Sequence, residues 1–135
     1  MIRFAFAMAA ALVTPAHAVE CWTASNFRGQ TAQADEGYRF KADSFADGML
    51  ICLSTEGGMV SGNDLDLVRL GDSTLMGWGH NGLGLEVVNV YQIDRSRGVL
   101  LFTQSRVGTA TVTSVLPDFA AVFVADLGSG PIDGV

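Results

Sequence analysis

The chain has 135 residues, of which 49% are hydrophobic and 16% are charged, and its formal net charge is −6 at pH 7. This length suits one domain with a modest core. The acidic charge argues against nucleic acids and anionic membrane surfaces as partners, because both repel a negatively charged chain.

Residues 1–18 have the pattern of a secretory signal peptide. A positive start at Met1–Arg3 precedes the apolar run Phe4–Val13, and Ala16–Ala18 form a small-x-small cleavage site. The run is too short to span a membrane, which takes about 20 apolar residues. We therefore predict export to the periplasm or the extracellular space, with no membrane insertion after the signal is removed. Losing Arg3 leaves 7 basic and 14 acidic residues, a net charge of −7.

The exported chain contains two cysteines, Cys21 and Cys52. Export makes a disulfide between them the expected state, tying the N-terminal segment to the strand predicted at Met49–Ser54. A reactive thiol or a metal site is the alternative, but the spacing lacks a Cys-x-x-Cys motif. Trp22 is predicted to pack on the bridge as a core residue, and a ligand-stacking role is its alternative.

The first half of the exported chain predicts four short strands and one loop. Met49–Ser54 is continuously apolar, which indicates a central strand. The strands are expected at Glu20–Ala24, Tyr38–Phe40, Met49–Ser54 and Met59–Ser61, and the loop at Asp43–Gly48.

The middle of the chain predicts an antiparallel meander. Its best-defined part is a hairpin with a four-residue turn at Arg95–Gly98, which opposes Tyr91 to Phe102 and Ile93 to Leu100 on one face. Both hairpin faces carry apolar residues, so both are expected to be covered. The four strands of the meander are expected at Leu65–Leu70, Thr74–Gly79, Leu83–Asp94 and Val99–Val107, with an Asn81-Gly82 turn before the third.

The C-terminal part predicts a strand at Thr109–Thr113 and then one short α-helix. Pro117-Asp118 suits a helix start, and Phe119, Val122 and Phe123 form an i, i+3, i+4 stripe that ends before Gly128. Residues 129–135 are predicted to be a flexible tail. The predicted fold is therefore mainly β: a meander forming a small β-barrel or sandwich within one domain, 19–128, with that helix packed on it.

The sequence offers little for catalysis, and we predict no catalytic residues, cofactor or metal. His80 is the only histidine after residue 18, and its position beside Asn81-Gly82 indicates an exposed turn residue more than a catalytic base. One histidine and two bridged cysteines do not make a zinc site. Asp64 and Asp66 lack the spacing of a calcium loop, so both are read as facing solvent.

One group of residues is kept as a candidate ligand-binding site: Trp78, His80, Arg95 and Arg97. Trp78 lies among the glycines of 77–82, which leave room for a ligand or a neighbouring backbone, and the arginines could meet an anionic partner. The alternative is that Trp78 is a core residue, the glycines shape a bend or bulge, and the arginines are solvated.

Three functions follow from these observations. Small size, export, one bridge and a meander resemble, in outline, periplasmic lysozyme inhibitors and small lipocalin-like barrels, although no motif names a family. The expected function is a non-enzymatic binding or interaction module for an unknown protein or a small apolar ligand. A carboxylate-dependent hydrolase and a structural envelope protein are the alternatives. A closed pocket near Trp78 would favour ligand binding, and two buried, facing carboxylates in a cleft would favour hydrolysis.

Overall fold

The computed structural model describes residues 19–46, 48–63, 65–80, 84–108 and 118–128. Within these ranges the chain forms one antiparallel sheet and a single 3₁₀ turn at Ala34–Glu36. The nine strands are β1 Glu20–Gln33, β2 Phe40–Phe45, β3 Met49–Leu53, β4 Gly58–Val60, β5 Asp66–Arg69, β6 Thr74–His80, β7 Glu86–Asp94, β8 Val99–Val107 and β9 Phe119–Leu127. The predicted strand at Thr109–Thr113, the Asn81-Gly82 turn, the signal peptide and the C-terminal tail lie outside the described residues.

The sheet curves into a nearly closed barrel, which confirms the mainly β prediction. Its strand order is β4-β3-β1-β9-β8-β7-β6-β5, and β2 pairs separately with the second half of β1. The two ends of this order, β4 and β5, approach each other. Arg69 on β5 crosses the junction and donates to the carbonyl oxygen of Ser54 at 2.7 Å. A side chain therefore bridges the junction between the two end strands.

The β7–β8 hairpin has the predicted register. Tyr91 lies opposite Phe102 with ring centroids 5.0 Å apart, and Ile93 lies opposite Leu100. The Asp94 carboxylate accepts hydrogen bonds from the Ser96 hydroxyl and the Arg97 backbone N–H, which hold its pKa below the usual range. Gly98 closes the turn at φ +67°, a conformation that favours glycine.

The outer face of this hairpin is exposed, contrary to the expectation that both faces are covered. The inner face packs into the barrel, but Val88 on β7 and Leu101 on β8 are 41% and 42% exposed. The strands therefore carry apolar residues on a face that stays in contact with solvent.

The predicted C-terminal helix is wrong, because Phe119–Leu127 is strand β9. Side chains at alternate positions from Phe119 to Leu127 turn into the barrel, and Phe123 lies opposite Phe102. The stripe that suggested a helix combines inward Phe119 and Phe123 with outward Val122. Asp118 does not cap a helix: its carboxylate accepts a hydrogen bond from the N–H of Gly108 at 2.9 Å.

The first strand is much longer than predicted, and it contains a bulge. The register with β9 shifts between Ser25 and Arg28, and Asn26 adopts φ +59° there. Asp126 accepts hydrogen bonds from the side chains of Asn26 and Arg28 at 2.9 and 3.1 Å. Trp22 before the bulge and Phe27 after it are both buried in the core, since one extra residue reverses the alternation.

Strand β2 also differs from the prediction. Tyr38, expected to begin a strand, lies in a turn at φ +57°, and the strand runs from Phe40 to Phe45 through part of the expected loop. The Phe45 ring stacks on Phe27 with centroids 4.4 Å apart. This contact holds the end of β2 against β1, in addition to the strand pairing.

The predicted disulfide is confirmed. Cys21 on β1 and Cys52 on β3 are direct cross-strand neighbours joined by a bond, and both are buried. Trp22, the next residue, is 4% exposed, as predicted for a core position. The bridge therefore fixes the pairing of the first strand with β3.

Candidate functional site

A cavity of about 310 Å³ opens on the inner side of the barrel, toward the end where β7 begins and β8 ends. Its walls combine apolar side chains with hydroxyl and amide groups, and none of the described residues that line it is charged. The lining residues are Met49, Val60, Ser61, Gly62, Asn63, Leu65, Val87, Asn89, Tyr91, Phe102 and Gln104.

Asn89 and Gln104 on the cavity wall belong to one inward-facing row of small and polar residues. Across β6, β7, β8 and β9 this row is Gly77, Asn89, Gln104 and Ala121, each the register partner of the next. The neighbouring row holds Leu75, Tyr91, Phe102 and Phe123, whose side chains fill the barrel. Space remains where the row without large apolar side chains meets the aromatic row.

A buried hydrogen-bond network lies on the cavity wall. Gln104 Nε2 donates to Asn89 Oδ1 at 2.7 Å, and Asn89 Nδ2 donates to the Tyr91 hydroxyl at 2.9 Å. Asn63 Nδ2 donates to the same hydroxyl at 2.5 Å. Two amide donors thus occupy the acceptor sites of a hydroxyl on a residue that is 1% exposed.

The Tyr91 hydroxyl therefore retains its own hydrogen as a donor. A phenolic hydroxyl has one O–H to give, and no described residue accepts it. Leaving a buried donor unused costs free energy, so an acceptor in the cavity would be favoured. Water can fill this role in the free protein, and the carbonyl of a ligand can replace it.

Burial raises the pKa of Tyr91 despite the opposing hydrogen bonds from Asn89 and Asn63. The unfolded chain releases this proton near pH 10, while the folded protein still holds it. The contribution to stability is present below pH 10 and is lost as the pH rises through the folded pKa. We expect the free energy of unfolding, measured with urea at a series of alkaline pH values, to fall less steeply in Tyr91→Phe than in Tyr38→Phe, which retains Tyr91. Equal slopes would contradict this expectation.

The sequence-predicted candidates do not come together. Trp78 lies opposite Val88 near the start of β7, whereas Arg95 and Arg97 lie in the turn after that strand, about 20 Å along it. His80 ends β6, and its side chain is not described. The four residues therefore do not share one pocket.

The guanidinium of Arg95 is engaged by contacts with other residues of the protein. Its guanidinium donates to the Glu20 carboxylate at 2.9 Å, to the Ser73 hydroxyl at 2.6 Å and to the Asp72 carbonyl at 2.7 Å. It also lies over the Trp22 ring, 5.5 Å from the centroid. Arg97 pairs with Asp94 at 3.1 Å and its side chain is 78% exposed. Arg95 thus joins the turn to β1, and Arg97 remains at the surface.

Trp78 is exposed on the outer face of the barrel, contrary to the alternative that made it a core residue. Its exposed fraction is 42%. The glycines beside it do not form a bulge, since the register of β6 is continuous on both sides. A Cβ at Gly77 would lie 2.6 Å from Leu67, and one at Gly79 would lie 2.5 Å from Leu65. The glycines make room for these leucines inside the barrel.

A groove of about 360 Å³ runs beside Trp78. It is lined by Trp78, Gly79, Glu86, Val87, Val88, Ser105 and Val107. This groove is open to solvent, so it is not the closed pocket near Trp78 that was expected for ligand binding. The groove and the cavity both touch Val87.

The chain matches no protein-family model, no curated protein and no solved structure. Among the residues described, no helix is long and apolar enough to cross a bilayer, and no three His, Cys, Asp or Glu side chains cluster as metal ligands. A function for this protein is therefore proposed from the geometry of the cavity and the groove.

Sequence reasoning missed the cavity network, although part of it was within reach. The hairpin register that opposes Tyr91 to Phe102 also opposes Asn89 to Gln104 on the same inner face. Two amides facing each other inside a barrel indicate a polar site. Asn63 carried no such signal, because it approaches Tyr91 from a turn 28 residues earlier in the chain.

Proposed function

We propose that this protein is an exported, non-enzymatic binding module whose cavity takes a small neutral ligand with a polar group and an apolar part. The observation that carries the proposal is the Tyr91 hydroxyl on the cavity wall, which accepts two hydrogen bonds and has no acceptor for its own O–H among the described residues. A carbonyl or amide oxygen of a ligand is the natural acceptor for it.

The chemistry of the walls supports a neutral ligand. The lining residues carry amides and hydroxyls beside Met49, Val60, Leu65 and Phe102, with no charged side chain among them. A charged ligand would lose its hydration without gaining a counter-charge, whereas a neutral amphiphile would bury its apolar part. The volume of about 310 Å³ lies at the lower end of the range for small-molecule sites.

Two further observations bear on this proposal. The disulfide is consistent with export to an oxidising compartment. Among the described residues no carboxylate is buried, so the hydrolase alternative lacks a pair of buried, facing acids there. A structural envelope protein would need no cavity with a free donor.

Calorimetric titration of the full exported protein with octanamide, octanoate and octylammonium tests the proposal. We expect the neutral amide to bind more tightly than either ion, since the described residues of the cavity wall offer no charge to pair with them. Tyr91→Phe removes the donor and keeps the ring, so it should weaken octanamide binding about three- to tenfold.

Tyr38→Phe is the matched control, because Tyr38 is 53% exposed and does not line the cavity. It should leave octanamide binding unchanged. Stronger binding of octanoate than of octanamide, no binding of any of the three probes, or equal losses in the two variants would each contradict the proposal.

A further inference from the structure

The groove beside Trp78 lies on the outer face of the barrel, and its chemistry differs from that of the cavity. Trp78 on β6 and Val88 on β7 are direct cross-strand partners, and both are about two-fifths exposed. Val107 at the end of β8 is 56% exposed and adds a third apolar wall. An indole face and two valines thus border a groove of about 360 Å³ that stays open to solvent.

Carboxylates flank the same indole. Glu86 lines the groove and precedes Val88 by two positions, so it projects from the same outer face of β7. Asp66 on β5 is the direct cross-strand partner of Trp78 on its other side. Both acids are exposed, and neither forms an ion pair with the described residues. Among the lining residues that the structure describes, none is basic.

We propose that this groove binds an organic cation: an ammonium group that carries methyl or alkyl substituents. The electron-rich face of an exposed indole attracts a cation, and carboxylates beside it add charge complementarity. The valines accept the alkyl part. The negative charge of the whole chain strengthens the attraction at low ionic strength. A free small molecule and a lysine side chain of a polypeptide both present this chemistry.

The first experiment follows the amide shifts of Val88 and Ser105 by NMR during titration with choline and with its neutral isostere 3,3-dimethyl-1-butanol. At about 0.01 M ionic strength, where screening is weak, choline should bind about tenfold more tightly than the isostere, and the difference should shrink with added salt. Equal affinities for choline and for the neutral isostere would overturn the proposal, because it states that the groove recognises the positive charge.

Variants locate the site. Trp78→Ala should weaken choline binding about fivefold, as expected for the loss of one exposed cation–π contact. Glu86→Gln should weaken it about threefold, as expected for the loss of one exposed charge pair. The matched controls are Phe40→Ala, at an aromatic residue that is 59% exposed on β2, and Glu56→Gln, at an exposed acid in the β3–β4 turn. If the controls weaken choline as much as the groove variants do, the proposal fails.

A peptide arm separates the two sources of the cation. Acetyl-Val-Lys-Val-amide binding more tightly than choline would identify a polypeptide side chain, and the reverse order would identify a free small cation; each supports the proposed chemistry. Acetyl-Val-Gln-Val-amide supplies the neutral comparison. The octanamide titration of the cavity is independent, since Tyr91→Phe and Trp78→Ala alter different sites.

Discussion

Gly29→Ala is expected to destabilise the protein by about 3 kcal/mol or more. Gly29 on β1 lies opposite Phe123 on β9, where an added Cβ would stand 1.9 Å from the Val122 carbonyl oxygen and 2.8 Å from the Phe123 Cα. Both atoms belong to the backbone, so no side-chain rotation relieves the contact and the strands must separate. Urea denaturation followed by circular dichroism would measure the loss.

Gly48→Ala is the matched control for this substitution. A Cβ there would have its nearest contact at an ordinary 3.7 Å from the Ala24 carbonyl oxygen. We expect its stability to lie within about 0.5 kcal/mol of the parent. Failure of Gly29→Ala to fold while Gly48→Ala folds would agree with the expectation. A loss below about 1 kcal/mol in Gly29→Ala would contradict the close strand approach that the structure shows.

Removal of the disulfide is expected to cost about 3–4 kcal/mol, because the bridge closes a loop with a sequence separation of 31. The change is the double variant Cys21→Ala/Cys52→Ala, compared with the oxidised parent in urea denaturation. Both sulfurs are buried, so the small voids left behind add to the loss.

Thiol titration under denaturing conditions provides the chemical control for this prediction. The unreduced parent should show no free thiol, and the reduced parent should show two. A double variant with the same urea midpoint as the oxidised parent, or two titratable thiols in the unreduced protein, would contradict a stabilising bridge.

The register of the β7–β8 hairpin could be predicted from the sequence because the residues of its turn define it. Asp94 and Gly98 define the turn, and once the turn length is set, each residue of β7 has one partner on β8. The disulfide was predictable for a similar reason, since the two cysteines of a chain predicted to be exported leave one pairing. In both places a few neighbouring residues contain the whole signal.

Strand β9 was mistaken for a helix because its sequence fits two periods. Phe119 and Phe123 are four residues apart, which suits one face of a helix and one face of a strand alike. The residues that decide between them, Ala121 and Ala125, are small and carry little β preference. Pairing with β1 and β8 resolves the ambiguity, and that pairing is a property of the whole barrel.

The full length of β1 was hidden by its bulge. A single extra residue at Asn26 moves the inward positions from Trp22 and Ala24 to Phe27, so the alternation breaks in the middle of the strand. In the candidate site too, some residues could be predicted from the local sequence and others depend on the whole fold. Asn89 and Gln104 follow from the hairpin register, whereas Asn63 reaches Tyr91 only through the curvature of the sheet.

The bridge that Arg69 makes to Ser54 lies where the barrel is not closed by strand pairing. The end strands β4 and β5 are not paired in the strand order, so parting them there would break few backbone hydrogen bonds. Substitution of Arg69 by Ala would leave the junction without this bridge, while the disulfide would keep β1 and β3 joined on the far side of β4.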